Sequence, residues 1–230
     1  TVRLFGDIDV TEIVKEAHQN CLGLLHGEPV ESGHYDVVFN KECQVDLFSV
    51  FEMMFSGKSA KDGVNPMRDR LGDTIADTRL TLVDDPEDVS GFGYALFDDE
   101  GSQTQQTTLI DAGVLANLAQ NSVTANHFAT HNTAHATRGP RSTLGVGLHQ
   151  LKVKAGEASE RDCMTGQWLE ITDLTGLHSG ANPISGEFSF GASGFLHDGP
   201  NRVQPVRGIT VAGNFYNMLS NISSISDTPM

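Results

Sequence analysis

A chain of 230 residues with 15 Lys and Arg against 30 Asp and Glu, a formal charge of −15, is a poor ligand for nucleic acid or an anionic membrane, because phosphate binding needs clustered cations. Its length allows a sizeable buried core, and 38% hydrophobic content with 24 glycines suits a turn-rich, β-containing domain. Residues 208–226 form the longest uncharged run near the end, and their Asn and Ser content excludes a membrane span.

Three cysteines, Cys21, Cys43 and Cys163, lie far apart with no CxxC. That excludes a disulfide framework and points to a reducing, cytoplasmic setting. The acid excess reads either as ordinary solubility or as a surface adapted to high salt, with six Lys against nine Arg.

In chain order, Asp9 with Glu12 reads as a capping pair opening a helix over 9–25. Ile13, Ala17, Cys21 and Leu24 or Leu25 continue along one face, and Gly27 and Pro29 end it. Residues 35–39 read as a short strand. A second helix over 44–56 carries Leu47, Phe48, Phe51, Met54 and Phe55 as a stripe that reads as core. A polar loop follows over 56–66. Strands are expected at 80–83 and 92–97, each ending in acids, Asp84-Asp85 and Asp98-Asp99-Glu100. Residues 101–108 read as extended, and 113–120 fit either a turn with strand or a short helix. Leu144, Val146 and Leu148 alternate on one phase, Leu151 and Val153 on the other, so a bulge is expected near His149-Gln150. Residues 157–164 fit one or two helical turns, and 168–174 a strand.

The stretch 177–219 carries the strongest pattern. Phe188 and Phe190 alternate with polar residues as a half-buried strand requires. Gly191 and Gly194 then break the alternation, the signature of a bulge or a close backbone approach. Asp198-Gly199 is a hairpin signal. Val203, Val206, Ile209 and Val211 read as a strand interrupted at Pro205 and Gly208. Phe215, Met218, Leu219 and Ile222 then lie on one face of a helix over 213–223, with Asn214 as its N-cap.

The same stretch, NPISGEFSFGASGFLHDG followed by QPVRGITVAGNFYNML, resembles the C-terminal end of the TldD/PmbA (TldE) family. LTLVDDP at 80–86, FDDEG at 97–101 and LIDAG at 109–113 match too, so the resemblance covers most of the chain. It implies a single TldD/PmbA-type C-terminal domain over 1–230, without the family's N-terminal domain. With the element pattern it gives an α+β fold: a strongly curved, mostly antiparallel sheet or barrel-like body with a few packed helices.

The TldD branch of that family resembles a zinc peptidase with an H-E-x-x-x-H motif on a helix. The corresponding helix here reads VDLFSVFEMMF, with two acids, Asp46 and Glu52, and no histidine. No ligand can be carried over, which places the chain nearer the PmbA/TldE branch. The resemblance therefore implies a non-catalytic subunit or scaffold of a peptidase assembly. Its partner would be a TldD-like catalytic chain or a second copy of itself, with an extended peptide as a further ligand by strand pairing.

Two other readings stay open. His127, His131 and His135 stand at i, i+4 and i+8; on a helix they would share a face and make a zinc set for a metal-dependent hydrolase. In a strand or loop they need not converge, which is the stronger reading of a segment with this Thr and Asn content. A self-assembling homo-oligomer without activity is the third. The acidic pairs read as solvated strand ends, because adjacent strand residues point to opposite faces. Ser193 lies in GASG rather than a nucleophile elbow. No catalytic, cofactor or metal residue is assigned, and zinc enters only with the histidine reading.

Overall fold

The computed structural model describes Gly6 and residues 8–227. In chain order its elements are α1 (Val10–Gly23), β1 (Asp36–Phe39), α2 (Lys41–Phe51) running into a 3-10 turn at Glu52–Phe55, α3 (Gly57–Lys61), β2 (Leu82–Asp84), β3 (Thr107–Asp111), β4 (Val114–Leu115), α4 (Ser122–Phe128), β5 (Ala136–Thr137), β6 (Gly145–Val146), β7 (Leu151–Val153), α5 (Glu160–Cys163), β8 (Gln167–Thr175), β9 (Glu187–Asp198), β10 (Asn201–Asn214) and α6 (Phe215–Ser220). The fold is α+β, as expected. The strands form two four-stranded sheets, ordered β1-β8-β9-β10 and β4-β3-β2-β7, and the pair β5-β6. No closed barrel forms among the described residues, because each sheet retains two edge strands.

Contacts gather the chain into two compact units. The first takes residues up to Ser49, Glu160–Ala181 and Phe188–Gly213. Its sheet is built on the long hairpin that the glycine pattern indicated, turning at Gly199-Pro200 with Gly199 at φ +54°. β10 is continuous through Pro205 and Gly208, where an interruption was expected, although Gly208 takes φ +68° within it. Gly194 faces Ile171 of β8, and a Cβ there would lie 1.8 Å from the Glu170 carbonyl oxygen. The bulge that accompanies this close approach falls on the partner strand, between Ile171 and Asp173. β1 adds in parallel, pairing Phe39 with Ile171.

Asp9 caps α1 by accepting the Glu12 N–H at 3.0 Å. The stripe on that helix, expected to pack, is open instead: no residue of α1 is buried, and Ile13 is 55% exposed.

The second unit takes Val50–Ser159, Asn182–Glu187 and residues from Asn214 on. Within it Phe51, Met54 and Phe55 are fully buried, as are Leu80, Leu82, Leu109, Ile110 and Leu115 from the β4-β3-β2-β7 sheet region. Helix α2 begins earlier than its apolar stripe suggested, because the Asn40 side chain accepts the Cys43 N–H at 2.9 Å and caps it. The expected loop at 56–66 contains α3, capped by Ser56. The expected strand at 92–97 does not form: Phe92, Leu96 and Phe97 are exposed, and the segment turns on hydrogen bonds such as Ala95 N–H to the Pro86 carbonyl at 3.1 Å. Asn214 caps α6 as expected, and Phe215 and Leu219 are buried.

Candidate functional site

Asp84 ends β2, which lies between β3 and β7. Between β6 and β7 the chain leaves one sheet and joins another, and this crossing, not the bulge expected there, produces the phase slip at His149-Gln150. The N–H groups of those two residues turn onto the Asp84 carboxylate rather than onto a strand. Gln150 donates to Oδ1 at 2.6 Å and His149 donates to Oδ1 at 3.0 Å.

A third segment brings His135 in. Its Nε2 lies 2.9 Å from Asp84 Oδ2, and its Nδ1 lies 2.8 Å from Thr133 Oγ1. Thr133 Oγ1 also accepts the Gln120 N–H at 2.7 Å and lies 3.2 Å from the Gln120 carbonyl. Between these residues Ala134 adopts φ +58°, left-handed backbone that a non-glycine residue rarely takes. The Ala134 carbonyl accepts from His149 Nε2 at 2.9 Å, and the two imidazole rings are 5.2 Å apart. Asp84 and His135 are both 0% exposed. One donor atom from each of Asp84, His135 and His149 lies within 4.8 Å of the others.

Burial pushes the Asp84 carboxyl up. The hydrogen bonds from His135, Gln150 and His149 outweigh it and hold the group below its ordinary value. Asp84 is therefore a buried carboxylate, not the solvated strand end expected. Asp98 is likewise buried, accepting from Glu100, Ser102 and Ala136 N–H groups, while Asp99 and Glu100 are exposed.

The spacing of His127, His131 and His135 does not produce a shared face. Helix α4 stops at Phe128, where Ala129 turns into the left-handed region at φ 52°. His127 and His131 are exposed, and only His135 turns inward. Asp84 and His149 went unrecognised as its neighbours. The available signals were an acid closing an apolar strand and a phase slip centred on a histidine.

The first unit holds a separate polar groove of about 740 Å³, with Glu16 and Cys21 of α1, Asp173 of β8, and Arg202 and Arg207 of β10 on its walls. At one side Glu170 accepts from His197 Nε2 at 2.9 Å and from Arg202 at 3.2 Å, and Arg202 lies 4.0 Å over the Phe195 ring. At α2 the picture differs. Leu47, Phe51, Met54 and Phe55 are buried, and the cavity beside Glu52, Ser56 and Ser59 measures about 100 Å³.

The sequence profile of the PmbA/TldA metallopeptidase C-terminal domain matches residues 32–230. The chain belongs to this PmbA/TldA family. Its relatives include the Metalloprotease PmbA of Escherichia coli O157:H7, 27% identical over 229 residues that cover 98% of this chain and 48% of the relative. A metalloprotease of Methanothermobacter thermautotrophicus is also 27% identical, over 94% of this chain and 48% of its own length. Among solved structures, TldE from Thermococcus kodakarensis superposes with a TM-score of 0.85 at 26% identity, covering 96% of this chain and 51% of that one. A Thermotoga maritima protein described as a modulator of a DNA gyrase superposes at 0.90 with 27% identity, covering 99% and 54%. The chain thus spans about half the length of the relatives it matches. Among the described residues, no helix is long and apolar enough to cross a membrane.

The PmbA/TldA family description implies a peptidase metal. The residues of α2 and its 3-10 turn do not fit one, because their inward face is Cys43, Leu47, Phe51 and Met54, of which Cys43 alone can ligate zinc, and residues 41–55 hold no histidine to join it.

Proposed function

We propose that this chain is a TldE-like, non-catalytic subunit or scaffold of a TldD-type metallopeptidase assembly. The observation that carries this reading is α2. Where the resemblance expects two imidazoles and a base, the chain has an apolar face that is consumed in packing. A zinc peptidase needs three protein ligands, an open coordination position and a base beside the bound water. The cavity at α2, about 100 Å³, is also well below the size of an ordinary ligand site.

A holding role has more support. β10 is the edge of its sheet, and the chain's own cover on it is the single bridge from Glu28 to Val206 among the described residues. Extended peptides add to such edges by main-chain hydrogen bonds. The groove in the same unit carries both acidic and basic groups beside Leu24 and Phe195, so it offers a bound peptide charged as well as apolar contacts.

The test is a peptidase assay on the isolated chain with added ZnCl2, beside co-purification with a TldD-like chain carrying the zinc motif. The expected result is no turnover alone and a stable complex with that chain. Cleavage by the isolated chain would overturn the proposal. Large homo-oligomers without such a complex would favour the self-assembling reading instead.

A further inference from the structure

We propose that Asp84, His135 and His149 form a binding site for a divalent transition-metal ion of the zinc type, distinct from α2. The donor set is one carboxylate and two imidazoles, which suits zinc, cobalt or nickel better than magnesium or calcium. Three protein donors leave one position for water.

The surroundings of the two imidazoles carry the argument. Metal-bound histidines characteristically give their other ring nitrogen to an oxygen that fixes the tautomer and the ring plane. The His149 ring does so, and His135 Nδ1 lies against a hydroxyl oxygen that can take either role. The Ala134 carbonyl only accepts, so His149 Nε2 bears the proton and Nδ1 is left with a lone pair. His135 Nδ1 faces Thr133 Oγ1, leaving Nε2 as the donor directed at Asp84. Asp84 Oδ1 accepts the Gln150 and His149 N–H groups at 2.6 and 3.0 Å, while Oδ2 receives only the more distant arm of the His149 N–H at 3.2 Å and faces His135, so Oδ2 is the more available ligand oxygen. The left-handed backbone at Ala134 joins the two arrangements, since it lies between Thr133 and His135 and its carbonyl fixes His149.

The charge balance points the same way. Asp84 is fully buried, its side-chain partner is the His135 imidazole, and no described ion pair gives it a Lys or Arg. A bound cation would neutralise this carboxylate without bringing in a long basic side chain.

The proton balance closes within the site. Without metal, neutral His135 carries its proton on Nε2 and donates to Asp84, while Thr133 donates its hydroxyl to Nδ1. With metal, the Nε2 lone pair goes to the ion and the proton resides on Nδ1. Thr133 then accepts from Nδ1 and turns its own hydroxyl to the Gln120 carbonyl, which already lies 3.2 Å away. No proton need leave the protein, and no buried group loses its partner.

The experiment uses the full chain, stripped with chelator and dialysed against ZnCl2, with metal content, melting temperature and the visible spectrum of the CoCl2-loaded protein as readouts. The expected result is about one zinc per chain, a raised melting temperature, and a cobalt spectrum of a nitrogen-ligated site. MgCl2 should give none of these. His149→Ala, folded by circular dichroism, should bind zinc at least ~10-fold more weakly, and Thr133→Val should weaken it by ~10-fold. A His127→Ala/His131→Ala double variant should bind as the parent does. Binding lost in the double variant but kept in His149→Ala would overturn the proposal as adventitious surface binding. No zinc bound by the parent, with no change in melting temperature, would reduce the cluster to a hydrogen-bonded clamp and overturn it equally.

Discussion

Phe51 and Phe215 stack with ring centroids 4.5 Å apart and planes 6° from parallel. Tyr216 stands edge-on to both, and its hydroxyl donates to the Pro183 carbonyl. This cluster joins the C-terminal end of α2 to α6 within one unit. The Phe51 ring is fully buried and Phe215 covers one of its faces.

Phe51→Ala is expected to destabilise the fold by about 3–5 kcal/mol, the usual cost of removing a fully buried ring and leaving its partner uncovered. Urea denaturation followed by near-ultraviolet circular dichroism measures it. A loss below about 1 kcal/mol would mean that the α2–α6 contact is not part of the cooperative core.

How much of this was legible beforehand depended on how local the determinant was. The long hairpin announced itself because Gly191, Gly194 and Asp198-Gly199 each mark a backbone event within a few residues of sequence. The α6 face was legible for the same reason, from Asn214 through Leu219. The strand expected at 92–97 failed because an apolar run, Phe92 to Phe97, is exposed and held by turns to Pro86 and Gln150. The stripe on α1 was read correctly as a pattern, but periodicity does not say whether anything covers it. The Asp84 cluster draws on segments 51 and 65 residues apart in sequence from Asp84. No window of local pattern could join them, and the apparent histidine repeat drew attention to the wrong neighbours.

Asp84 gives the fold a defined acid limb. Its carboxyl is held below its ordinary value in the folded chain, so the stabilisation is fully present above the unfolded value of about 3.9 and is lost as pH falls through the lower folded value. Asp84→Asn removes this linkage and sets an amide donor against His135. The variant should be less stable than the parent at neutral pH, and its stability should fall less steeply below about pH 4. Urea midpoints at several pH values from neutral to acidic decide the matter. Parallel acid limbs for the two proteins would show that other carboxylates govern acid unfolding.

The formal charge of −15 makes self-repulsion a measurable part of stability. Raising KCl from about 0.1 M to about 1 M shortens the screening length from about 10 Å to about 3 Å. The melting temperature should therefore rise with salt and then level off. A flat response would remove salt adaptation as the reading of the acidic composition and leave the fold unaffected.

Cys43 and Cys21 should differ sharply toward thiol reagents. Burial pushes the Cys43 thiol up to about 12, with the negative charges of Asp46, Asp173 and Glu42 adding to it. The thiolate is the reactive form, so Cys43 is protected both by access and by protonation. Cys21 is exposed. At mildly alkaline pH a disulfide reagent should label Cys21 in the native chain and reach Cys43 only on unfolding. Mass-mapped labelling of Cys43 in the native state would show that the amino end of α2 opens.

Gly194 provides the most direct test of the hairpin. A Cβ at that position would lie 1.8 Å from the Glu170 carbonyl oxygen, 2.8 Å from its carbon and 3.1 Å from the Ile171 Cα. All three are backbone atoms of β8, so no rotamer change relieves the clash, and β8 and β9 must separate. Gly194→Ala should therefore cost more than about 3 kcal/mol, unusually large for adding one methyl group. Gly33 is the control. Its nearest neighbour for a Cβ is the Tyr35 ring at 3.6 Å, an ordinary contact, and its φ is not in the left-handed region. Gly33→Ala should stay within about 1 kcal/mol of the parent. Equal stability of the two variants would show that β8 and β9 do not approach as closely at Glu170 and Gly194 as their register requires.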